Sequence, residues 1–274
     1  MTVKFSADAN AAATELPHFW EHTVGSGRAA LALRADWQAQ MKQAHDELGM
    51  KHVRFHSILS DDMGTLIGEG DTLFYSFFNT DQIFDFLLSI GMKPFVELSF
   101  MPTILASGNQ TVFHYNANVS RPKDYGQWAV LIRKLVKHWV DRYGLEEVRA
   151  WFFEVWNEPN LTAFGSGEKS DYFELYRYTA EAVKGVDPLL KVGGPATADN
   201  AWIEDFLNFC RANGLPADFV STHHYPTDDF GKPGDDTEAQ LAASRRSALR
   251  DEARNARRQA GDLPLSYTEW CTSS

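Results

Sequence analysis

Cysteine is nearly absent. Cys210 and Cys271 are too few for a disulfide framework, and neither has the C-x-x-C spacing of a zinc or redox site. Positive charge is in deficit: 26 Lys and Arg against 37 Asp and Glu leave a formal net charge of -11, which repels phosphates and acidic headgroups. The one basic stretch, Arg245, Arg246, Arg250, Arg254, Arg257 and Arg258, is interleaved with Asp251 and Glu252 on a helical pattern. It reads as a solvated face, so no nucleic-acid partner is expected. No apolar run approaches the ~20 residues of a membrane span, and the N-terminus lacks a basic region followed by an apolar stretch. No membrane partner is expected, and a cytoplasmic location is the default. Low-complexity linkers are missing too.

What the chain has is an aromatic share of 13 % and one recurring period, in which short β-branched or aromatic runs alternate with longer helical segments. Residues 52 to 56, 93 to 98, 151 to 156, 191 to 193, 219 to 224 and 265 to 270 read as buried strands, with 22 to 25 as a first, weaker one. Helices lie between them. One is predicted from Asp36 as cap to Gly49, and a second is bracketed by Asp81 and Gly91. Others carry Trp128, Ile132, Leu135 and Trp139, run from Tyr172 to Val186 and from Trp202 to Cys210, and span about Glu238 to Ala260. Cys210 falls in a helix pattern as a core residue. The long irregular stretches 57 to 80 and 99 to 123 are candidates for the rim of a site.

Such alternation implies a parallel sheet, either an open doubly wound sheet or a closed barrel. The polar residues decide. His56, Asn157 with Glu158, His223 with Tyr225, and Glu269 all fall at the C-terminal ends of different predicted strands, where a (β/α)8 TIM-type barrel gathers its active site. About seven βα units can be counted. The expected organisation is residues 13–274 as an incomplete barrel, preceded by residues 1–12 as a strand of an accessory β-sandwich whose remainder is absent. An unclosed barrel has exposed edges through which copies of the chain would associate.

The strongest local signal is Phe153-Glu154-Val155-Trp156-Asn157-Glu158-Pro159, an apolar strand ending in Asn-Glu-Pro. Apolar surroundings disfavour a carboxylate anion, which suits Glu158 to act as a general acid, and Pro159 ends the strand. Glu269 closes Ser266-Tyr267-Thr268-Glu269-Trp270 three strands further round. Two carboxyls on opposed strands can flank one bond, as glycoside hydrolysis requires. Arg54 shares strand parity with His56, so both can point inward, and its guanidinium could hold Glu269 ionised.

The segments VGSGRAALAL from Val24, HVRFHSILSDDMG from His52, FVELSFMPTILASG from Phe95, FEVWNEPNL from Phe153, STHHYPTDDFG from Ser221 and TEWCTSS from Thr268 span nearly the whole chain. They resemble glycoside hydrolase family 39, and within it the bacterial β-xylosidases. The resemblance implies a retaining mechanism through a covalent glycosyl-enzyme, with Glu158 as acid/base, Glu269 as nucleophile and no metal or organic cofactor. It also implies that Asn157 binds the sugar 2-hydroxyl, and that His56, His223 and Tyr225 contact sugar hydroxyls or the nucleophile. The substrate implied is a xylo-oligosaccharide, opened at its non-reducing end, or an aryl β-xyloside. The eighth βα unit of the family, with its aromatic contacts to the sugar, has no counterpart after Glu269.

Weaker patterns read structurally. Gly25-Ser26-Gly27-Arg28-Ala29-Ala30 fits G-x-G-x-x-A without the strand and acidic residue of a dinucleotide site. His223 and His224 are strand neighbours facing opposite sides and cannot chelate together. Glu97 and Glu154, inside strands, read as charges paired in the barrel interior. The alternative functional readings are another specificity on the same machinery, α-L-iduronidase or α-L-arabinofuranosidase, or an inactive carbohydrate-binding barrel.

Overall fold

Parallel neighbours in a sheet need a crossover of a dozen or more residues, usually a helix, which is the connection this sequence repeats. The computed structural model of the chain, which describes residues 3–69, 72–229, 234 and 236–271, has this arrangement. Seven strands hydrogen-bond in chain order: β1 (Thr23–Arg28), β2 (His52–His56), β3 (Lys93–Leu98), β4 (Phe152–Val155), β5 (Lys191–Thr197), β6 (Phe219–His224) and β7 (Leu265–Trp270). All are parallel to their neighbours. Helices α1 (Ala35–Leu48), α2 (Phe78–Ser89), α3 (Tyr125–Tyr143), α4 (Lys169–Lys184), α5 (Ile203–Asn213) and α6 (Ala248–Ala260) make the six crossovers. The sheet curls until Cα atoms of β1 and β7 come within 8 Å, although no ladder joins them. This is a TIM-type (β/α)8 barrel with seven of its strands.

Local chemistry sets the element ends. Asp124 caps α3, its carboxylate accepting from the backbone N–H groups of Gly126 and Gln127 at 2.7 and 3.1 Å. Gly49 ends α1 at φ 71°, a left-handed position that glycine takes without steric cost. Asp36 and Asp81, expected as caps, instead sit within the first turns of α1 and α2, where a carboxylate still complements the helix dipole. The helix expected from Glu238 to Ala260 is two, Thr237–Ala243 and α6, separated by extended backbone at Ser244. Two antiparallel hairpins, Leu66–Glu69 with Thr72–Tyr75 and Thr111–Val112 with Ala117–Asn118, fall in the long irregular stretches. Residues 3–12 carry no ladder, and residues 1 and 2 lie outside the described residues. No helix among the described residues is long and apolar enough to cross a membrane.

Most of the aromatic residues are buried in the core or packed against it. Phe84, Trp139, Trp151 and Phe153 fill the layer between sheet and helices, and Cys210 of α5 is buried in the same continuous core. A second aromatic group closes the barrel floor. Phe95, Phe152 and Phe219 meet with ring centroids 5.1 to 5.6 Å apart, and contact between β3 and β6, which are not neighbours, places these rings on the axis. Strand period then fixes what lies above them: Glu97, Glu154, and Ser221 with His223.

The outer edges of β1 and β7 leave their backbone groups without ladder partners among the described residues. A polypeptide of these 274 residues is therefore expected to self-associate in size-exclusion chromatography with light scattering. A monomer with one cooperative thermal transition would contradict this.

Candidate active site

The layer above the phenylalanine floor is ionic. Arg54 of β2, 2 % exposed, lies among three carboxylates and an amide. Its Nε donates to Glu154 Oε2 at 2.5 Å, Nη1 to Glu269 Oε1 at 2.7 Å, and Nη2 to Asn157 Oδ1 at 2.9 Å, while Nη2 lies 2.7 Å from Glu97 Oε2. Unpaired, each of these charges would be costly to bury; a guanidinium with several donors offers them short charge-assisted bonds. The cation these carboxylates share is thus part of the chain. Donor atoms of His56, Glu97 and Glu269 cluster within 4.8 Å, as do those of Glu158, His223 and Glu269, so both sets are close enough to chelate. In the first set Arg54 is already the partner of both carboxylates, which makes it a filled ion-pair network.

Asn157 and Glu158 follow β4 through a turn in which Trp156 and Glu158 have φ of 69° and 44°. Left-handed backbone at a non-glycine residue costs about 1–3 kcal/mol and is held by its surroundings. Here the Trp156 indole N–H donates to the Phe164 carbonyl at 2.8 Å, and the Glu158 N–H donates to the Ala196 carbonyl at 2.8 Å. Ala196 is also the extra residue where the β5–β6 register slips between Ser221 and Thr222. Glu158, 7 % exposed, then brings Oε1 to 3.0 Å from His223 Nδ1.

Glu269 is reached from the other side. Tyr225 donates its hydroxyl to Glu269 Oε2 at 2.9 Å, and His56 Nε2 lies 3.6 Å from Glu269 Oε1. One oxygen of Glu158 and one of Glu269 lie within 4.8 Å of each other. Burial pushes the Glu269 carboxyl upward, but its neighbours His223, Arg54 and His56 together outweigh it and hold the group at about 2. Burial likewise raises the Tyr225 phenol, and the neighbouring Glu269 charge raises it further.

Every residue singled out from the sequence, Arg54, His56, Asn157, Glu158, His223, Tyr225 and Glu269, lies in this one cluster. His224 faces away, toward Asp199 at 3.5 Å. Thr268 is a member that strand alternation hides. Its hydroxyl donates to Glu154 Oε1 at 2.8 Å and lies 3.1 Å from His223 Nε2, although a regular strand would turn it away from the axis if Glu269 faces it. The β6–β7 register skips Thr268 between Tyr267 and Glu269, so both residues reach inward. Phe113 was also not foreseen: from the turn of the second hairpin its ring stacks on His56 with centroids 5.7 Å apart. Only the length of the stretch 99 to 123 hinted at such a contact.

Comparison with known proteins gives consistent relatives. The family described as "Glycosyl hydrolases family 39" matches residues 3–274. The chain is similar to a β-xylosidase of Caldicellulosiruptor saccharolyticus, 52 % identical over 257 residues that cover 93 % of this chain and 53 % of that protein. A β-xylosidase of Geobacillus stearothermophilus is 48 % identical over 214 residues, covering 75 % of this chain and 42 % of its own length. The chain thus spans about half the length of the curated relatives it matches. Among solved structures, a monomeric β-xylosidase from Caulobacter crescentus CB15 superposes with a TM-score of 0.86 at 40 % identity, over 96 % of this chain and 54 % of the other.

Because its folded-state value lies below the ordinary carboxylate value, Glu269 contributes stability that is present above about pH 4.5 and is lost as pH falls toward about 2. The loss attributable to this group is on the order of 3 kcal/mol. Urea denaturation of the parent and of Glu269→Gln across this range is expected to show a shallower acid decline in the variant. Parallel curves would contradict the assignment.

Proposed function

Because this chain belongs to glycoside hydrolase family 39, we propose that it carries the catalytic carboxylates of a retaining β-xylosidase, which releases xylose from the non-reducing ends of β-1,4-xylo-oligosaccharides. The observation that carries this reading is the facing pair Glu158 and Glu269, with nearest oxygens within 4.8 Å. Retaining enzymes place their carboxyl groups about 5–5.5 Å apart, whereas inverting enzymes need roughly 6.5–9.5 Å to admit a water.

In this mechanism the Glu269 carboxylate, ionised through Arg54 and Tyr225, attacks the anomeric carbon while Glu158 gives its proton to the leaving oxygen. The anomeric carbon–oxygen bond to the leaving group breaks as the bond to Glu269 forms. Esterification removes a negative charge beside Glu158 and favours its carboxylate form, so Glu158 next takes a proton from water, which attacks the same carbon and frees Glu269. One difference in surroundings supports these roles: Glu269 accepts from a guanidinium and a phenol, whereas Glu158 is bonded to His223 Nδ1. In this reading Asn157, whose side-chain oxygen accepts from Arg54, binds the sugar 2-hydroxyl, and His56, His223 and Tyr225 contact sugar hydroxyls or the nucleophile. A xylo-oligosaccharide or an aryl β-xyloside is the proposed substrate.

The test uses the protein in its native length and a panel of nitrophenyl glycosides that includes β-xyloside, α-L-iduronide and α-L-arabinofuranoside. β-Xyloside is expected to be the best substrate. Glu158→Ala should lose roughly 10²–10⁴-fold on substrates with poor leaving groups, and azide should restore turnover to the β-glycosyl azide. Glu269→Ala should be nearly inactive on all β-xylosides, with azide yielding the α-azide from an activated substrate. Recovery of the same anomer from both variants would overturn the roles.

A further inference from the structure

Glu97 has no part in the mechanism above, yet it is 1 % exposed and bonded on both oxygens. Ser99 donates its hydroxyl to Oε1, while Oε2 lies 2.7 Å from Arg54 Nη2 and 2.8 Å from His56 Nδ1. A carboxylate is an acceptor only, so His56 Nδ1 must carry hydrogen. A neutral His56 is then committed to the tautomer with a bare lone pair on Nε2, and that atom lies 3.6 Å from the ionised Glu269 Oε1. Lone pair and anion repel. A second proton on the ring turns this repulsion into attraction.

We propose that Glu97 is a positioning residue that keeps His56 doubly protonated, and that this second cation belongs to the active form of the site. The groups facing His56 are Glu97 from β3, Glu269 from β7 and Arg54 from its own strand, with the rings of Phe100 and Phe113 beside it. Arg54 opposes the charge and the two carboxylates favour it. Two further features agree. Glu97, Glu154 and Glu269 all pair with one guanidinium, so three carboxylates share a single fixed positive charge. Burial alone would lower the His56 imidazolium, but the charge and hydrogen bond of Glu97 together with the charge of Glu269 outweigh it and the group is raised. With a raised value, the charged form is complete at low pH and is lost as pH rises through it, so the proton governs the alkaline side.

The first arm is a pH titration by NMR of the native protein labelled with 15N-histidine, His56 being assigned by its disappearance in His56→Asn. Both ring nitrogens are expected to be protonated at neutral pH. Glu97→Gln should move the loss of the second proton down by at least one pH unit, a tenfold fall in proton affinity, and Glu97→Asp should restore part of it. The second arm, which rests on the glycosidase reading, is the pH profile of kcat/KM on aryl β-xyloside: Glu97→Gln should move its alkaline limb down and leave its acid limb in place. A single protonated nitrogen at neutral pH in the parent overturns the proposal, whether or not the variants fold. So does a Glu97→Gln protein that is folded by circular dichroism and titrates like the parent. An unmoved alkaline limb overturns the claim that the proton belongs to the active form. A shifted titration in a parent inactive on every β-xyloside supports Glu97's role and sinks the glycosidase reading alone.

Discussion

The barrel interior depends on the charge of Arg54. One buried guanidinium from β2 binds side chains that come from β3, β4 with its following turn, and β7. Removing it would leave three carboxylates facing one another in a dry interior, and breaking a buried ion pair by deleting one partner typically costs about 3–5 kcal/mol. The same contact helps to hold Glu269 ionised, beside His223 and His56. Fold and chemistry therefore share an interaction, and a residue that looks structural by its burial acts on the charge of the proposed nucleophile.

Irregular backbone gathers where this ionic layer meets the barrel mouth. Trp156, Glu158 and Ala196 have left-handed φ, and the β1–β2, β5–β6 and β6–β7 registers each slip toward the C-terminal ends of their strands. At the other end the phenylalanine floor is built on ordinary strand alternation. The division has a physical reason. Regular strands present alternate side chains at one spacing, whereas a site needs neighbours such as Thr268 and Glu269 to reach the same axis, and a bulge supplies that at the cost of a ladder bond.

This division also explains what could be read from the sequence. Alternation placed Arg54 beside His56, set Glu97 and Glu154 inside the barrel and turned His223 and His224 to opposite sides, because in those stretches the period of two holds. Asn157-Glu158-Pro159 was legible because a strand that stops in a carboxylate and a proline is unusual in composition. Thr268 was not legible, since its inward turn comes from a slipped register that depends on how β6 and β7 pair. The partnership of Glu97 with His56 was also out of reach: parity faces both inward but does not say which two side chains at the same depth will touch. Asp36 and Asp81 were misplaced, by two and four residues from the caps, because a carboxylate at a helix start satisfies either the free N–H groups or the dipole, and composition does not separate these.

The phenylalanine floor bears on the chemistry as well. Phe95, Phe152 and Phe219 close the axis beneath Glu97 and Glu154, so that end of the network is lined by hydrocarbon. Interactions between charges weaken as the surrounding dielectric rises, and water admitted from below would screen Arg54 from its partners. Glu269, at the upper end and nearer solvent, depends on that attraction being undiminished. A purely apolar interior would be simpler to stabilise, since well-packed hydrophobic residues often replace buried ion pairs without loss. Such an interior could not hold a carboxylate ionised beside a second carboxyl. The polar layer is thus placed where the floor keeps it dry and the mouth gives it access to substrate, which confines it to the few residues at the C-terminal ends of the strands.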